Sequence, residues 1–340
     1  MELVRGKTVK LSIIIPFYNA QEYLEKSLET VSVCPSDEME CILVNDGSTD
    51  SSLAICEKFA QKDSRFRIVS QKNGGVSAAR NTGINYAHAD RIFFLDADDY
   101  IDTRKWHEIL KAAEEKFDFI AFSHYTLWEN GTAKEELFPF KGEETTDIQA
   151  AKMILLASAR FNTCWGKLLK RSLITKNGIY FKKGVKTGED TIFIMDYFKT
   201  AITYSIRNIS VLFYRQHGNS VMHKMSMEKK LADFQAIYDY RRLLVGSWKD
   251  STLEKEMYRQ LFSIITDLFL KYAATRTLAE SRNAFREASK LDMVQTIIQN
   301  TPYAQLSPGY KKIEYLLMKG HSFDWLARMM KIKGKFSKFA

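Results

Sequence analysis

The sequence has 340 residues, of which 45% are hydrophobic and 27% charged, the composition of a globular protein with one large or two ordinary domains. The longest apolar stretch, Leu261 to Ala274, is interrupted by Asp267 and Lys271 and is shorter than the roughly 20 residues that span a membrane, so no transmembrane helix is expected. The formal net charge is +9, and the last 30 residues hold eight Lys and Arg against two acidic residues, a surplus of six. A basic tail favours an anionic surface as its partner.

The cysteines and the N-terminus indicate the compartment. Cys34, Cys41, Cys56 and Cys164 include no CxxC pair, and three of them lie in apolar or helical contexts. Pro16 interrupts the short apolar run near the N-terminus, and no small-residue cleavage site follows it. We therefore expect no signal peptide and a reducing, cytoplasmic location.

The predicted elements alternate between strand and helix from Leu11 to Tyr125. The first strand, LSIIIPFYN, is expected to stop at Pro16. The later strands are CILVND, FRIVS, RIFFLD and FDFIAFSHY, and the helices between them are AQEYLEKSLETV, SSLAICEKFAQK, GGVSAARNTGINYA and TRKWHEILKAAEEK. This alternation predicts an α/β fold with a mostly parallel sheet and helices on both faces.

Beyond Tyr125 the pattern is less regular. A turn is predicted at Asn130-Gly131. Helices are predicted at TTDIQAAKMILLASA, WGKLLKRSLITKNG and EDTIFIMDYFKTA, and a last strand in VLFYRQHGNSV. From about Met225 the chain is helical and charged. The predicted domains are therefore residues 1–225, with the α/β pattern, and residues 226–340, a smaller helical and basic region.

Polar residues follow four of the predicted strands, at the point where each strand ends. Asn19 follows the first strand, Asp46 the second, Asn73 the third and Asp96 the fourth. In an open α/β sheet the carboxyl ends of the parallel strands share one edge, where ligands bind. Neither a GxGxxG motif nor a Walker lysine motif follows the first strand, so the sheet is expected to bind another ligand than a dinucleotide.

Three carboxylates, Asp96, Asp98 and Asp99, crowd together directly after the apolar run RIFFL. Like charges at this spacing repel each other unless a cation or hydrogen-bond donors share them. Carboxylates two residues apart on an extended backbone face the same way, so one is expected to hold a ribose hydroxyl while Asp98 binds Mg²⁺ or Mn²⁺ carrying a diphosphate. In VNDGSTD, Asp46 can accept a hydrogen bond from the imide of a uracil ring. The alternative for both motifs is an ordinary solvated loop.

Five motifs occur in a fixed order between about Lys10 and Met222: SIIIPFYNAQEYLEKSLETV, ILVNDGSTDSS, NGGVSAARNTGI, FLDADDYI and GEDTIFI. Together they resemble glycosyltransferase family 2, the inverting enzymes of GT-A fold that use nucleotide sugars. The resemblance implies a Rossmann-like fold of GT-A type, a nucleotide-sugar donor and a divalent cation, Mn²⁺ or Mg²⁺. The residues that it implies around the nucleotide sugar are Pro16, Phe17, Asn19, Asp46, Asn73, Gly74, Arg80, Asn81, Asp96 and Ala97.

The resemblance also implies a catalytic base at the aspartate of the Glu-Asp pair, Asp190. Inversion needs such a base, because a single displacement at the anomeric carbon requires the acceptor hydroxyl to lose its proton. Glu189 is the competing choice, or else it orients the acceptor or its neighbour.

Two further segments are assigned to the site. YRQHGNSVMHK resembles the closing loop of the family, in which a basic residue reaches the diphosphate or the metal, and His217 and Arg215 are the candidates. Trp165 and Lys167 are expected to line the acceptor side, with a place in the core as the alternative for the aromatic residue.

The predicted function is transfer of a sugar, with a UDP-linked donor expected, to a glycan or lipid-linked acceptor in surface polysaccharide synthesis. The alternative is a non-catalytic nucleotide-sugar-binding or scaffold protein, and the intact Asp96, Asp98 and Asp190 argue against it. The basic tail has three interpretations: a membrane-surface helix, a helix that forms a homo-oligomer, or a solvated face over a packed core. Trp325 and Met329 beside lysines favour a peripheral location on the inner face of the membrane, and no nucleic-acid-binding motif accompanies the charge.

Overall fold

A computed structural model describes residues 3–4, 7–157, 160–185, 188–216, 226–307 and 309–336 of the chain. These residues divide into two compact units. The first unit contains the described residues up to 185 together with residues 189–216. The second unit contains Gly188 and the described residues from 226 onward, so Gly188 groups with the helical part of the chain.

The first unit combines strands and helices in the predicted alternation. The strands are β1 (Leu3–Val4), β2 (Lys7–Thr8), β3 (Leu11–Phe17), β4 (Met39–Asn45), β5 (Phe66–Ser70), β6 (Arg91–Phe94), β7 (Tyr100–Ile101), β8 (Phe119–Trp128), β9 (Ala133–Glu136), β10 (Glu144–Thr145), β11 (Lys167–Lys170) and β12 (Tyr204–Gln216). The helices are α1 (Leu24–Ser32), α2 (Ser52–Lys62), α3 (Val76–Tyr86), α4 (Trp106–Ala113), α5 (Ile148–Ala157), α6 (Arg171–Lys176) and α7 (Glu189–Thr200).

The described strands from β3 to β12 form one sheet, with the order β10-β12-β8-β11-β6-β3-β4-β5, in which β7 also pairs with β12 and β9 with β8. The neighbours β5, β4, β3 and β6 are parallel, and β12 is parallel to β8. β11 is antiparallel to both β6 and β8, so β8 and β12 run in the same direction as β6. Every residue of β3, β4 and β6 is buried, which means that both faces of the sheet are covered there.

Pro16 lies inside β3 and does not stop it, which corrects the predicted end of this strand. The Ile14 carbonyl accepts from the Leu95 amide at 3.0 Å on the β6 side, and the Phe17 carbonyl accepts from the Asp46 amide at 2.9 Å on the β4 side. Because alternate residues point the same way, Pro16 faces the β6 side, where strand pairing has already ended at Ile14. Its missing N–H therefore costs no ladder hydrogen bond.

The segment WGKLLK contains a strand, whereas its spacing predicted a helix. Lys167–Lys170 form β11 between β6 and β8, and the helix α6 occupies only Arg171–Lys176. The buried pair Leu168 and Leu169 fits either a strand or a helix, so the periodicity of a short apolar run does not decide. The strands on both sides offer ladder partners, and this tertiary pairing determines the conformation.

Helix α3 lies close against β3, and Gly83 permits this approach. A Cβ atom at Gly83 would lie 2.2 Å from Ile14 Cγ2. Ala79 and Ile84 of the same helix are also fully buried. This close packing fixes α3, and with it Arg80, relative to the strand ends that carry the polar residues.

The second unit is helical, as the sequence predicts. Its helices are α8 (Met227–Trp248), α9 (Ser251–Thr275), α10 (Leu278–Ala288), α11 (Asp292–Asn300), α12 (Tyr310–Lys319) and α13 (Phe323–Phe336). Across the part of the chain that the structure describes, no helix has the length and apolar character needed to cross a membrane.

The last helix, α13, belongs to the core of the second unit and also presents a surface. Phe323, Leu326 and Met330 are buried where α13 packs against α9 and α10. Trp325 and Ile332 are 68% and 58% exposed. The apolar residues of the tail are therefore divided between the core and the surface.

Candidate active site

The loops that follow β3 and β4 are bonded to each other. Asn19 Oδ1 accepts from the Thr49 amide at 2.8 Å, and the Asn19 amide donates to Ser48 Oγ at 3.1 Å. Asn19 has a φ of 47°, a left-handed conformation that asparagine tolerates better than most residues. Asp50 accepts from the Ser52 amide at 3.0 Å, where α2 begins. These contacts give Asn19 a role in shaping the carboxyl edge of the sheet.

Asp46 fastens the loop that follows β5. Only 3% of this residue is exposed, and its Oδ1 accepts from Gln71 Nε2 at 2.7 Å and from the Gly74 amide at 2.9 Å. Its Oδ2 accepts from the Gly75 amide at 2.8 Å, directly before α3. Asn73 and Gly74 lie exposed in this loop. Each carboxylate oxygen can accept more than one hydrogen bond, so these three contacts leave Asp46 able to accept one from a uracil imide. That contact stays a prediction.

Arg80, in the middle of α3, joins the carboxylates of two distant segments. It is 4% exposed, and its Nη2 donates to Asp96 Oδ1 at 2.8 Å. Its Nη1 donates to Asp190 Oδ1 at 2.6 Å and to Glu189 Oε1 at 3.2 Å. Burial alone would lower the pKa of Arg80, but the neighbouring negative charges, led by Asp190, raise it well above the ordinary value. The guanidinium therefore stays charged and holds Asp96 beside the Glu-Asp pair.

Glu189 and Asp190 are the first two residues of α7, where the helix dipole favours carboxylates. Gly188 precedes them with a φ of 89°. Asp190 Oδ2 accepts from the Cys164 amide at 3.0 Å, in addition to the bond between its Oδ1 and Arg80. Burial, with the charge of Asp190, raises the pKa of Glu189 to about 7. Glu189 therefore carries a proton for part of the time near neutral pH.

The three carboxylates after β6 have different surroundings. Asp96 pairs with Arg80, Asp98 is half-buried, and Asp99 is 1% exposed. Asp99 Oδ1 accepts from the Arg215 amide at 2.8 Å. Burial, together with the charges of Asp98 and Asp96, raises the pKa of Asp99 well above its usual range. The ion pair between Asp96 and Arg80 and the hydrogen bond from the Arg215 amide to Asp99 therefore relieve part of the repulsion that the sequence implies.

Arg215 lies near the end of β12, whose carboxyl end meets the same edge of the sheet. Its Cζ is 4.8 Å from the ring centroid of Tyr23 and 5.6 Å from that of Tyr100. Among the described residues its buried Nε has no hydrogen-bond partner. His217, the predicted metal ligand of the same segment, lies outside the described residues. The role of Arg215 toward the diphosphate stays a prediction.

Several residues predicted to contact the nucleotide sugar support the edge from within. Pro16 and Phe17 are buried in β3, and Ala97 is 8% exposed. Asn81 exchanges two hydrogen bonds with the backbone of Phe181, each of 2.9 Å. These side chains are buried or half-buried in this structure, and their contacts with the nucleotide sugar stay predictions.

Trp165 and Lys167 are buried as well. Trp165 is 5% exposed, stacks on Tyr214 with 5.2 Å between ring centroids, and meets His124 edge-on at 4.8 Å. Lys167 is 2% exposed. Trp165 therefore lies in the core, which is the alternative to its predicted acceptor role. Lys167 is buried there too, so neither side chain lines an acceptor surface in this structure.

Two contributors to the site carried no signal in the sequence. Cys164 donates its amide to Asp190, and Gln71 links Asp46 to Thr82, from whose hydroxyl Gln71 Oε1 accepts at 2.5 Å. Both act through contacts between distant segments of the chain, and residue spacing does not report such contacts.

Comparison with known proteins assigns the family. The profile described as Glycosyl transferase family 2 matches residues 12–177. EpsJ of Bacillus subtilis, named an uncharacterized glycosyltransferase, is 27% identical over 305 residues, which cover 86% of this chain and 87% of EpsJ. Residues 12–177 are a glycosyltransferase family 2 domain.

Two further proteins are similar to this family 2 glycosyltransferase, one in sequence and one in fold. TarP of Staphylococcus aureus, named a poly(ribitol-phosphate) beta-N-acetylglucosaminyltransferase, is 25% identical over 285 residues, covering 82% of this chain and 84% of TarP. S. aureus TarS 1-349 in complex with UDP-GlcNAc matches with a TM-score of 0.68 at 20% identity, covering 97% of this chain and 92% of that one. The predicted family, the α/β fold of GT-A type with a helical C-terminal region, and glycosyltransferase activity are confirmed.

Proposed function

We propose that this family 2 glycosyltransferase moves a sugar, with inversion at the anomeric carbon, from a UDP-sugar to a hydroxyl of a glycan or lipid-linked acceptor in surface polysaccharide synthesis. The observation that carries the proposal is the cluster in which Asp96 and Asp190 share the buried guanidinium of Arg80. The UDP-GlcNAc complex of TarS supports a UDP-linked donor. The poly(ribitol phosphate) in the name of TarP supports a polymeric acceptor.

Asp190 is the proposed base. The acceptor oxygen forms a bond to the anomeric carbon while its proton passes to a carboxylate oxygen of Asp190. The bond between the anomeric carbon and the donor's phosphate oxygen breaks, and UDP leaves with that electron pair. Arg80 and the Cys164 amide each hold one oxygen of Asp190, which fixes the direction of its carboxylate.

The acidic end of β6 fits a divalent cation. In the described contacts, Asp96, Glu189 and Asp190 share the single guanidinium of Arg80. Three carboxyl groups thus surround one positive charge, and a bound cation would add a second. Asp98 would hold the ion and Asp96 the ribose, since Mg²⁺ is usually bound by one or two protein carboxylates together with substrate phosphates. This agrees with the absence, among the described residues, of a ready-made group of three or more His, Cys, Asp or Glu around a metal position. When bound, the ion neutralises charge on the departing diphosphate.

A donor screen tests the proposed function. The purified full-length protein is incubated with UDP-, GDP- and dTDP-linked sugars and Mn²⁺, and the release of free nucleotide is measured. We expect release from a UDP-sugar. Release from GDP- or dTDP-sugars alone would overturn the proposed donor class. Binding without release from every donor would favour the non-catalytic nucleotide-sugar-binding protein.

The variant Asp98→Ala is expected to lose the effect of the metal on donor binding together with activity. Without this carboxylate the ion is held weakly, so the negative charge of the diphosphate is poorly screened. Calorimetry should show UDP affinity weakened about 10-fold or more in Mn²⁺, the scale of losing one charge-assisted contact, and unchanged in EDTA. Equal UDP affinity of wild type and variant in Mn²⁺ would remove Asp98 from the proposed metal site.

We also propose a peripheral location at the inner face of the cell membrane. Trp325 and Ile332 are exposed on α13, beside the basic surplus of the tail. Aromatic and aliphatic side chains of this kind enter the head-group boundary of a bilayer, where lysines meet anionic lipids. Removing the whole tail is a poor test, because it would also remove the buried Phe323, Leu326 and Met330.

Replacing both Trp325 and Ile332 with serine is expected to lower association with anionic vesicles about 10-fold or more at low salt, because burying one large apolar side chain contributes roughly 1.5–3 kcal/mol. Transfer to a short soluble acceptor should be unchanged. Leu243→Ser is the matched control, since Leu243 is 70% exposed in the same unit but lies on α8. If all three proteins sediment equally with the vesicles, the exposed residues serve another purpose, and self-association measured by light scattering decides whether they join two copies.

A further inference from the structure

Lys167 has an unusual position for a lysine. It opens β11, is 2% exposed, and pairs with Ala121 of β8 in the middle of the sheet. No carboxylate among the described residues lies within ion-pair distance of its ammonium group. Burying an ammonium without a paired carboxylate is costly, because the group loses its hydration and gains only neutral partners. A core position of this kind would be filled more stably by an apolar side chain.

The ammonium of Lys167 is held by the short segment that precedes it. Nζ donates to the Trp165 carbonyl at 3.2 Å and to Thr163 Oγ1 at 3.4 Å. The rings of Phe161 and Trp165 lie 5.6 Å and 5.8 Å from Nζ, at cation–π distance. Residues 163–165 thus wrap around one positive charge.

Cys164 stands between the two groups that the ammonium holds. Its amide donates to Asp190 Oδ2 at 3.0 Å, and this bond, together with the one from Arg80 to Oδ1, orients the Asp190 carboxylate. The ammonium holds the Thr163 hydroxyl on one side of Cys164 and the carbonyl of the Trp165–Gly166 peptide on the other, so the two peptide groups between these anchors have little freedom to rotate. The ammonium therefore determines where the Cys164 amide points.

We propose that Lys167 is a positioning residue for the catalytic base: its buried ammonium holds residues 163–165 so that the Cys164 amide orients Asp190. The inference rests on the proposed role of Asp190. Burial lowers the pKa of Lys167 to about 8, while the charges of Cys164 and Asp190 oppose this shift, so the amine is mostly protonated at neutral pH.

The first test replaces Lys167 with methionine, which has a similar length and no charge. We expect kcat to fall about 10- to 100-fold, the scale of a small misplacement of a catalytic group, with the KM for the donor changed less than about 2-fold. The melting temperature should stay within a few degrees of wild type, because the lost hydrogen bonds are offset by the removed cost of burying a charge. Should Lys167→Met fail to fold, Lys167→Gln replaces it in the same measurements.

Lys170→Met is the matched control. Lys170 ends the same strand, but its ammonium pairs with Asp118 at 2.8 Å and with the Lys116 carbonyl, and neither of these partners contacts Asp190 among the described hydrogen bonds. We expect it to keep kcat within about 2-fold of wild type, as for a structural ion pair outside the site. A rise in donor KM with unchanged kcat for Lys167→Met would overturn the inference and indicate that Lys167 contacts the donor.

A double-mutant cycle separates this inference from the proposed function. If Lys167 acts through Asp190, then Lys167→Met combined with Asp190→Asn should be no slower than Asp190→Asn alone. Losses that multiply would show that Lys167 acts by another route, which overturns the inference. Unchanged turnover in Asp190→Asn alone would instead overturn the base assignment itself, so the two failures are distinguishable.

Discussion

Replacing Asp190 with asparagine is expected to lower turnover about 100-fold or more and to leave donor binding nearly intact, the usual scale for losing a positioned base. Asparagine keeps the shape of aspartate, and its carbonyl oxygen can still accept a hydrogen bond from Arg80 or from the Cys164 amide. It cannot take the acceptor's proton. Initial rates with a saturating acceptor, combined with calorimetry of donor binding, measure the two effects separately.

Glu189→Gln is the matched comparison, because Glu189 is adjacent to Asp190 and contacts the same guanidinium. The pKa of Glu189 is raised to about 7 by burial and by the charge of Asp190, so below that pH the wild-type side chain is mostly protonated and resembles glutamine. We expect the variant to match wild type at about pH 6 and to differ only as the pH rises through 7, where wild type gains a negative charge. Should Glu189→Gln instead be the more damaging change, with Asp190→Asn nearly harmless, the base is Glu189.

The parallel part of the sheet could be predicted because its strands are continuous apolar runs that both faces bury. The antiparallel β11 could not, since Leu168 and Leu169 fit a helix as well as a strand and the deciding contacts come from β6 and β8. Pro16 was misjudged for a related reason. A proline interrupts a strand only where its missing N–H would meet a partner, and pairing with β6 ends before Pro16.

The candidate site divides in the same way. Asp96 and Asp190 could be named as candidates because their motifs have a fixed order and a chemistry that needs carboxylates. The contacts that connect them could not be predicted, because Arg80 lies 16 residues from Asp96 and 110 residues from Asp190 in the sequence. Arg80 was assigned to the nucleotide sugar, whereas here its guanidinium is buried between carboxylates. A charged residue that acts inside the protein gives the same sequence signal as one that binds a ligand.

Replacing Arg80 with methionine is expected to abolish measurable transfer and to destabilise the first unit by about 3 kcal/mol, the lower end for removing one partner of a buried ion pair. The variant would leave Asp96, Glu189 and Asp190 close together without their shared guanidinium. Because these carboxylates are partly exposed, water and salt screen some of the repulsion, and we expect the lower end of the range for that reason. Thermal unfolding and initial rates on the same samples measure both effects.

The pH dependence distinguishes this electrostatic explanation from simple loss of packing. In Arg80→Met the clustered carboxyl groups take up protons more readily in the folded state than in the unfolded state, so the stability deficit should shrink as the pH falls from about 8 toward 5. A deficit caused by lost packing alone would stay constant over that range. Arg65→Met is the control, because Arg65 pairs with Asp63 at 2.7 Å and caps backbone carbonyls before β5 begins, at the opposite edge of the sheet. Arg65→Met should lower the melting temperature but preserve kcat at temperatures below the unfolding transition. Full activity in folded Arg80→Met would show that the bond from Arg80 is not needed to orient Asp190.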